Sequence, residues 1–228
     1  MNFACVCYGD KYSVEYVQKL YNMARRNITK DFQFYVFTDH VKMHKMVSEE
    51  IQVKKFPEHD LEGWWNKMQL FHPSVDLPDT TLYMDLDVVI TENIDCFFDY
   101  QPEVDFIGMN DFNPTTNEWN SSIMRFNQKK VSQQVWQKFY GNRPEWLKRF
   151  PGDQNLLSHL LKNGKGPVST TSYPDSWTQS YKWYDRSGNR YSRQSMTFEH
   201  NGESLVTVLH GQPNPHESDQ EWIKNAWK

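Results

Sequence analysis

The chain is short of cysteine, has little net charge and contains no long apolar run. Three cysteines in 228 residues make no disulfide framework. Cys5 and Cys7 are separated by a single residue, whereas metal knuckles use a gap of about two. The expectation for Cys5, Cys7 and Cys96 is three small apolar side chains in a reducing compartment, the cytoplasm. No stretch approaches the ~20 apolar residues of a membrane-spanning helix, so membrane insertion is not expected. The opening MNFACVCYGDKY lacks a charged region followed by a long apolar one, so no secretory signal is expected. A formal charge of -4 argues against a general nucleic-acid coat, although a local basic patch stays open.

Aromatic residues are plentiful: 14 Phe, 12 Tyr and 9 Trp. Disordered chains are depleted in these, so a folded chain is expected, and its length suits a single domain. Phe3 to Tyr8 reads as a strand ending at Gly9-Asp10. Val17, Leu20, Tyr21, Ala24 and Ile28 then recur at helical spacing. Phe32 to Phe37 and Ile51 to Phe56 read as strands, and Trp64 to Phe71 as a short helix stopped by Pro73. This alternation predicts an α/β fold with a mostly parallel, Rossmann-like central sheet and flanking helices. Thr81 to Ile90, Asp105 to Met109, Asn120 to Phe126 and Leu205 to Leu209 read as further strands. Val131 to Tyr140 and Asp153 to Leu161 read as helices.

The most informative feature is Met84-Asp85-Leu86-Asp87-Val88. In a strand from 81 to 90, Asp85 and Asp87 would project to the same side. Two carboxylates in an apolar setting repel and resist desolvation, and a divalent cation resolves both problems. In open α/β sheets ligands bind at the carboxyl ends of strands, where this pair would lie. The plainer alternative is a hydrogen-bonded structural pair. His210, closing the apolar strand at Leu209, is a third candidate ligand, with a satisfied edge histidine as its alternative. Two carboxylates and one imidazole suit Mn²⁺ better than Ca²⁺ or Mg²⁺, with Mg²⁺ the second choice.

Residues 173 to 195 carry no clear periodicity. They hold Tyr173, Trp177, Tyr181, Trp183, Tyr184 and Tyr191 with Lys182, Arg186, Arg190 and Arg193. A solvated loop is one reading; an acceptor or lid segment, with Tyr173, Trp177 and Tyr181 as platforms, is the other. Aromatics among arginines also suit nucleic-acid bases. Gly63-Trp64-Trp65 reads as packing plus pocket wall. His40, His44, His59 and His72 read as surface residues.

Taken in order, these blocks resemble the GT-A-fold glycosyltransferases that use nucleotide sugars, most closely the retaining family-eight type, the glycogenin and bacterial galactosyltransferase group. The resemblance runs through most of the chain. It implies a single domain over 1–228, with a nucleotide-binding half to about residue 110 and a sugar and acceptor half beyond. It implies donor contacts from Tyr8 and Gly9, from Thr38 and Asp39, and from Trp65 and Lys67. Asp85 and Leu86, then Asn120 and Ser121, would follow. Asp153 and Gln154 face the transferred sugar in the family, and Gly211 and Asn214 lie in its late His-Gly-Lys-Pro-like block.

The resemblance implies that Asp85, Asp87 and His210 bind the metal, and that Lys67, Asp153 and Gln154 serve the reaction, the last two by positioning. Ser122 stands where the family usually has Gly, and Asn214 takes the place of its lysine. Diphosphate charge is then left to Lys67 or to the basic loop. The implied partners are a nucleotide sugar, with uracil the expected base, and an acceptor glycan, protein or small molecule, or a modified nucleic-acid base. Sugar nucleotidyl transfer is an alternative, although Gly9-Asp10-Lys11-Tyr12 is poor in glycine for it. A binding domain without turnover is another.

Overall fold

A strand of alternating core residues followed by an amphipathic helix opens the chain, and the computed structural model describes residues 1–77, 80–113, 115–164, 166–182 and 200–228. Strand β1 (Asn2–Cys7) leads into helix α1 (Val14–Asn27), which buries Tyr16, Val17, Leu20, Tyr21, Met23 and Ala24. Glu15 in its first turn and Arg25 and Arg26 in its last complement the helix dipole. Strands β2 (Gln33–Thr38) and β3 (Ile51–Lys55) follow, then a 3-10 segment over Gly63–Phe71. Next come β4 (Thr80–Met84), β5 (Val88–Ile90), α2 (Asp95–Asp99), β6 (Phe106–Asn110) and β7 (Trp119–Asn127). Helices α3 (Gln128–Gly141), α4 (Arg143–Arg149) and α5 (Asp153–Leu157) lead to β8 (Thr170–Ser172), β9 (Thr178–Ser180), β10 (Val206–Val208) and α6 (Glu221–Ala226).

The main sheet has the order β3-β2-β1-β4-β7-β6-β8. β7 pairs antiparallel with both neighbours, and the other pairings are parallel, so β7 alone runs against the rest. The period-two pattern of β1 divides the core between two faces: Phe3, Cys5 and Cys7 pack with α1, while Ala4 packs with Tyr83, Phe71 and α3. The cysteines are free, as expected, with Cys5 and Cys7 buried and Cys96 half-buried. Among the described residues no helix is long and apolar enough to cross a membrane.

One expected strand is corrected. Residues 81 to 90 do not form a continuous strand. β4 stays in the main sheet as far as Met84, opposite Ile123. The Asp85 N–H still bonds to the Ser122 carbonyl at 2.9 Å, but Val88 pairs with Val208 in a second sheet of order β5-β10-β9. The chain therefore changes sheets at Asp85-Leu86-Asp87, which is a turn, and the same-side argument for the pair does not hold. Leu86 is 1% exposed and plugs this turn into the core. The expected helix over 153 to 161 divides as well, α5 running into a π-helical turn over Ser158–Lys162. α2, α4, α6, β8 and β9 were not expected. Trp183, Tyr184, Arg186, Arg190, Tyr191 and Arg193, expected in an acceptor or lid segment, lie outside the described residues.

Candidate active site

The carboxyl ends of β1, β2, β4 and β6 open on one edge, and the amino end of the reversed β7 meets them there. At the β1 end, Gly9 has φ +57°, a left-handed turn that glycine takes without strain. Its N–H donates to Asp39 Oδ1 at 3.1 Å, and His40 Nε2 donates to its carbonyl at 2.7 Å. Thr38 Oγ1 accepts the His40 N–H at 3.1 Å. Gly9, Thr38 and Asp39 thus come together, and His40, read as a surface residue, is a fourth member. Tyr8 is half-buried beside Phe56.

The centre of the site is Lys67. Its Nζ lies 3.2 Å from the Asp85 carboxylate, 2.8 Å from Ser121 Oγ and 3.4 Å from Asp153 Oδ2. Burial works against the ammonium, but Asp153 and Asp85 outweigh it and hold its pKa above the usual lysine value. Tyr83 donates its hydroxyl to Asp85 Oδ1 at 2.6 Å. Asp87 accepts from the Tyr12 hydroxyl at 2.8 Å and from the Gly211 N–H at 3.3 Å. Burial, then the neighbouring Asp85, push the Asp87 carboxyl up. Burial also raises Asp153, with Lys67 opposing, and its buried Oδ2 is the oxygen that faces the Lys67 ammonium.

At the start of β7, Asn120 Oδ1 accepts the Ser122 N–H at 2.9 Å. At the start of α5, Gln154 Nε2 donates to Asp111 Oδ2 at 3.3 Å. Asp111 follows β6 directly and was not singled out in the sequence. Its position after a strand's carboxyl end was the available signal. Tyr12 and Tyr83 carried no such signal, because their partners lie on other elements.

His210 has φ +44° and its Nε2 lies 2.7 Å from Ser180 Oγ. Burial and Lys182 push its pKa down to about 4, so the imidazole is neutral at neutral pH. Among the described residues no group of three His, Cys, Asp or Glu side chains is gathered to hold a metal. Two carboxylates and a neutral imidazole are donor types a divalent cation takes, but here they are not gathered around one point.

No family model matches the chain, and no curated protein matches its sequence. Solved structures do match its fold. The galactosyltransferase LgtC in complex with donor and acceptor sugar analogues has a TM-score of 0.69 at 14% identity, over 100% of this chain and 92% of that one. The glycosyltransferase GlyE of Streptococcus pneumoniae TIGR4 has a TM-score of 0.68 at 16% identity, over 98% of this chain and 62% of that one. The bifunctional WbbM has a TM-score of 0.65 at 12% identity, over 99% of this chain and 51% of that one.

The fold is GT-A.

On this GT-A frame several expected contacts fall elsewhere. Trp65, expected at the donor, is half-buried and stacks on Phe139 at 6.1 Å against the core. Tyr173, expected at the acceptor, is 2% exposed and donates its hydroxyl to the Phe97 carbonyl at 2.9 Å. Trp177 packs edge-on against Phe97 and Tyr100. Tyr181 is buried, with its hydroxyl 3.1 Å from Ser218 Oγ. Tyr173 and Tyr181 are buried in the core that α1 packs on and Trp177 is half-buried against it, so these rings, expected as acceptor platforms, serve as packing. Asn214 caps a 3-10 turn: its N–H and Nδ2 both donate to Glu217. The cation beside this segment is Lys182, whose Nζ donates to the His210 carbonyl at 2.6 Å. Gly211, at φ +83°, lies alongside it.

Proposed function

We propose that the chain is a glycosyltransferase that moves a sugar from a nucleoside diphosphate sugar, with UDP as the nucleotide, to a hydroxyl acceptor with retention of anomeric configuration. The observation that carries this reading is the buried Lys67 ammonium, gripped by Asp85, Asp153 and Ser121 at the carboxyl edge of a GT-A sheet. Cleavage at an anomeric carbon builds positive charge on the sugar and negative charge on the departing diphosphate. Charges fixed in a water-poor site act on that separation without reorganising. Lys67 supplies the positive group, and its partners hold it in place. Asp153, Gln154 and Asn120 orient sugar hydroxyls, with Asp153 held beside the Lys67 ammonium. The turn at Gly9 with Thr38 and Asp39 receives the nucleoside.

Asp85 and Asp87, with His210 as neutral third ligand, would hold Mn²⁺, or Mg²⁺ less well, which would supply charge neutralisation for the diphosphate. The acceptor is a hydroxyl of a glycan, protein or small molecule; a nucleic-acid base would instead show acceptor binding that weakens steeply with salt. The free cysteines support a cytoplasmic setting.

The test is thermal stabilisation by UDP, GDP, CDP and dTDP, with and without Mn²⁺, followed by UDP release from UDP-galactose and UDP-glucose. Selective binding raises stability by about 2.7 kcal/mol at a hundredfold excess over Kd. A Mn²⁺-dependent shift with UDP, abolished in Asp87→Asn, together with UDP release, is the expected result. No shift with any nucleotide overturns the reading. A second reading, nucleotide-sugar binding without turnover, draws on Asn214 being tied to Glu217. A full shift with no UDP release would select it, and pyrophosphate exchange would select nucleotidyl transfer.

A further inference from the structure

Among the described residues, Trp64 is the tryptophan left exposed, at 59%, whereas Trp119, Trp136 and Trp227 are at 5% or less. An indole carries ~150–250 Å² of surface, so leaving most of it in water forgoes stabilisation that core burial would provide. The ring is also not free to swing. Trp64 Nε1 donates to the Pro151 carbonyl at 3.2 Å. It lies so close to the next residue that a Cβ on Gly152 would come within 3.2 Å of Nε1. Gly152 immediately precedes Asp153, and the same missing Cβ would come within 3.7 Å of Asn155 Oδ1.

Trp64 and Lys67 sit three residues apart on the 3-10 segment, where side chains at that spacing eclipse. The buried ammonium and the exposed indole therefore share one face, the first inside the site and the second at its mouth. Polar groups lie near the ring: Asn155, whose Oδ1 faces Gly152 as the indole does, donates its Nδ2 to Glu118 Oε2 at 2.6 Å. A flat apolar face bordered by amides and carboxylates matches a pyranose ring, which offers C–H bonds on its face and hydroxyls at its edge.

We propose that the exposed face of Trp64 is the platform on which the acceptor stacks, and that the acceptor is therefore a glycan. The assignment as acceptor rests on the glycosyl-transfer reading above. The stacking itself is measurable without a donor. With 5-fluorotryptophan incorporated, the ¹⁹F resonance lost in Trp64→Phe belongs to Trp64, and it is followed during titration with lactose, cellobiose and maltose. Movement with at least one disaccharide is expected. In transfer from UDP-sugar to that disaccharide, Trp64→Ala raises acceptor KM by about tenfold or more and Trp64→Phe by less. UDP with Mn²⁺ stabilises both variants as it does the wild type. Gly152→Ala, whose methyl displaces the indole, raises acceptor KM in the same direction if Trp64→Ala does not fold. A resonance unmoved by all three sugars, movement with a tyrosine-rich peptide alone, or an unchanged acceptor KM overturns the proposal. Sugar-induced movement without UDP binding or release leaves the stacking site standing and removes the glycosyl-transfer reading instead.

Discussion

Lys67 shows how one side chain can serve structure and chemistry at once. Its ammonium lies among Asp85, Asp153 and Ser121, so removing it strands two carboxylates. Lys67→Met should lower stability by about 3–5 kcal/mol, the range for breaking a buried pair, and Lys67→Arg by less. Urea unfolding checks this, and UDP release from a UDP-sugar should fall with it. Tyr12→Phe removes a 2.8 Å hydrogen bond to Asp87 at an interior position. A loss of about 1–3 kcal/mol is expected, without gross unfolding, because the ring itself is kept. Lys67 was legible in the sequence through its place just ahead of the Asp-x-Asp block. Tyr12 was not, because its partner lies 75 residues away and aromatic residues are common throughout this chain.

At the scale of elements, β7 organises the molecule. Arg125 on this strand is 1% exposed and donates to the carbonyls of Phe98, Tyr100, Gln101 and Val104 at 2.6–3.1 Å. It clamps the connection between α2 and β6 by satisfying carbonyls that no strand partner reaches. Arg125→Met should cost about 2–5 kcal/mol, with hydrogen exchange accelerated across residues 98–104. The register of β6 on β7 shifts at Gly108/Met109. A Cβ at Gly108 would come 2.6 Å from the Trp119 ring, which sits on Phe106 and donates to Ser172. Gly108→Ala should therefore destabilise by about 1–3 kcal/mol through overpacking, read as a lowered Tm.

For the whole molecule, carboxylates between distant elements set the acid limit. At Asp105 burial opposes the charge, but hydrogen bonds from Lys130 and Ser169 outweigh it and hold the carboxyl below its usual range. At Asp95 burial is likewise outweighed, here by the Thr29 hydroxyl and N–H. A depressed folded-state pKa contributes stability that is complete above the unfolded value, about 3.9 for Asp, and is lost as pH falls through the folded value. Stability should therefore decline as pH drops below about 4. Asp105→Asn should be less stable than wild type at pH 7, and the gap should close in acid, as followed by Tm against pH.

The local patterns of the sequence were enough for the α/β alternation and for a mostly parallel sheet. Apolar periods of two and of 3.6 residues are properties of short segments, and they survive tertiary folding when the segment is long, as in α1. Short elements such as α2, β8 and β9 were hidden because three to five residues do not establish a period. Asp85 and Asp87 were identified from residue type and apolar flanks, but their turn geometry was decided by β10 drawing Val88 into a second sheet. Tyr173, Trp177 and Tyr181 carry the same residue types as a sugar platform, and only tertiary packing, of Phe97 on the first two and of Trp222 and Ser218 on the third, turned them inward. Trp64 and Trp65 are neighbours in sequence; one was left at the site mouth and the other stacked on Phe139. Contacts such as Lys67 to Ser121, 54 residues apart, or Gly211 to Asp87, 124 apart, belong to the folded chain, because only chain closure brings such groups within hydrogen-bonding range.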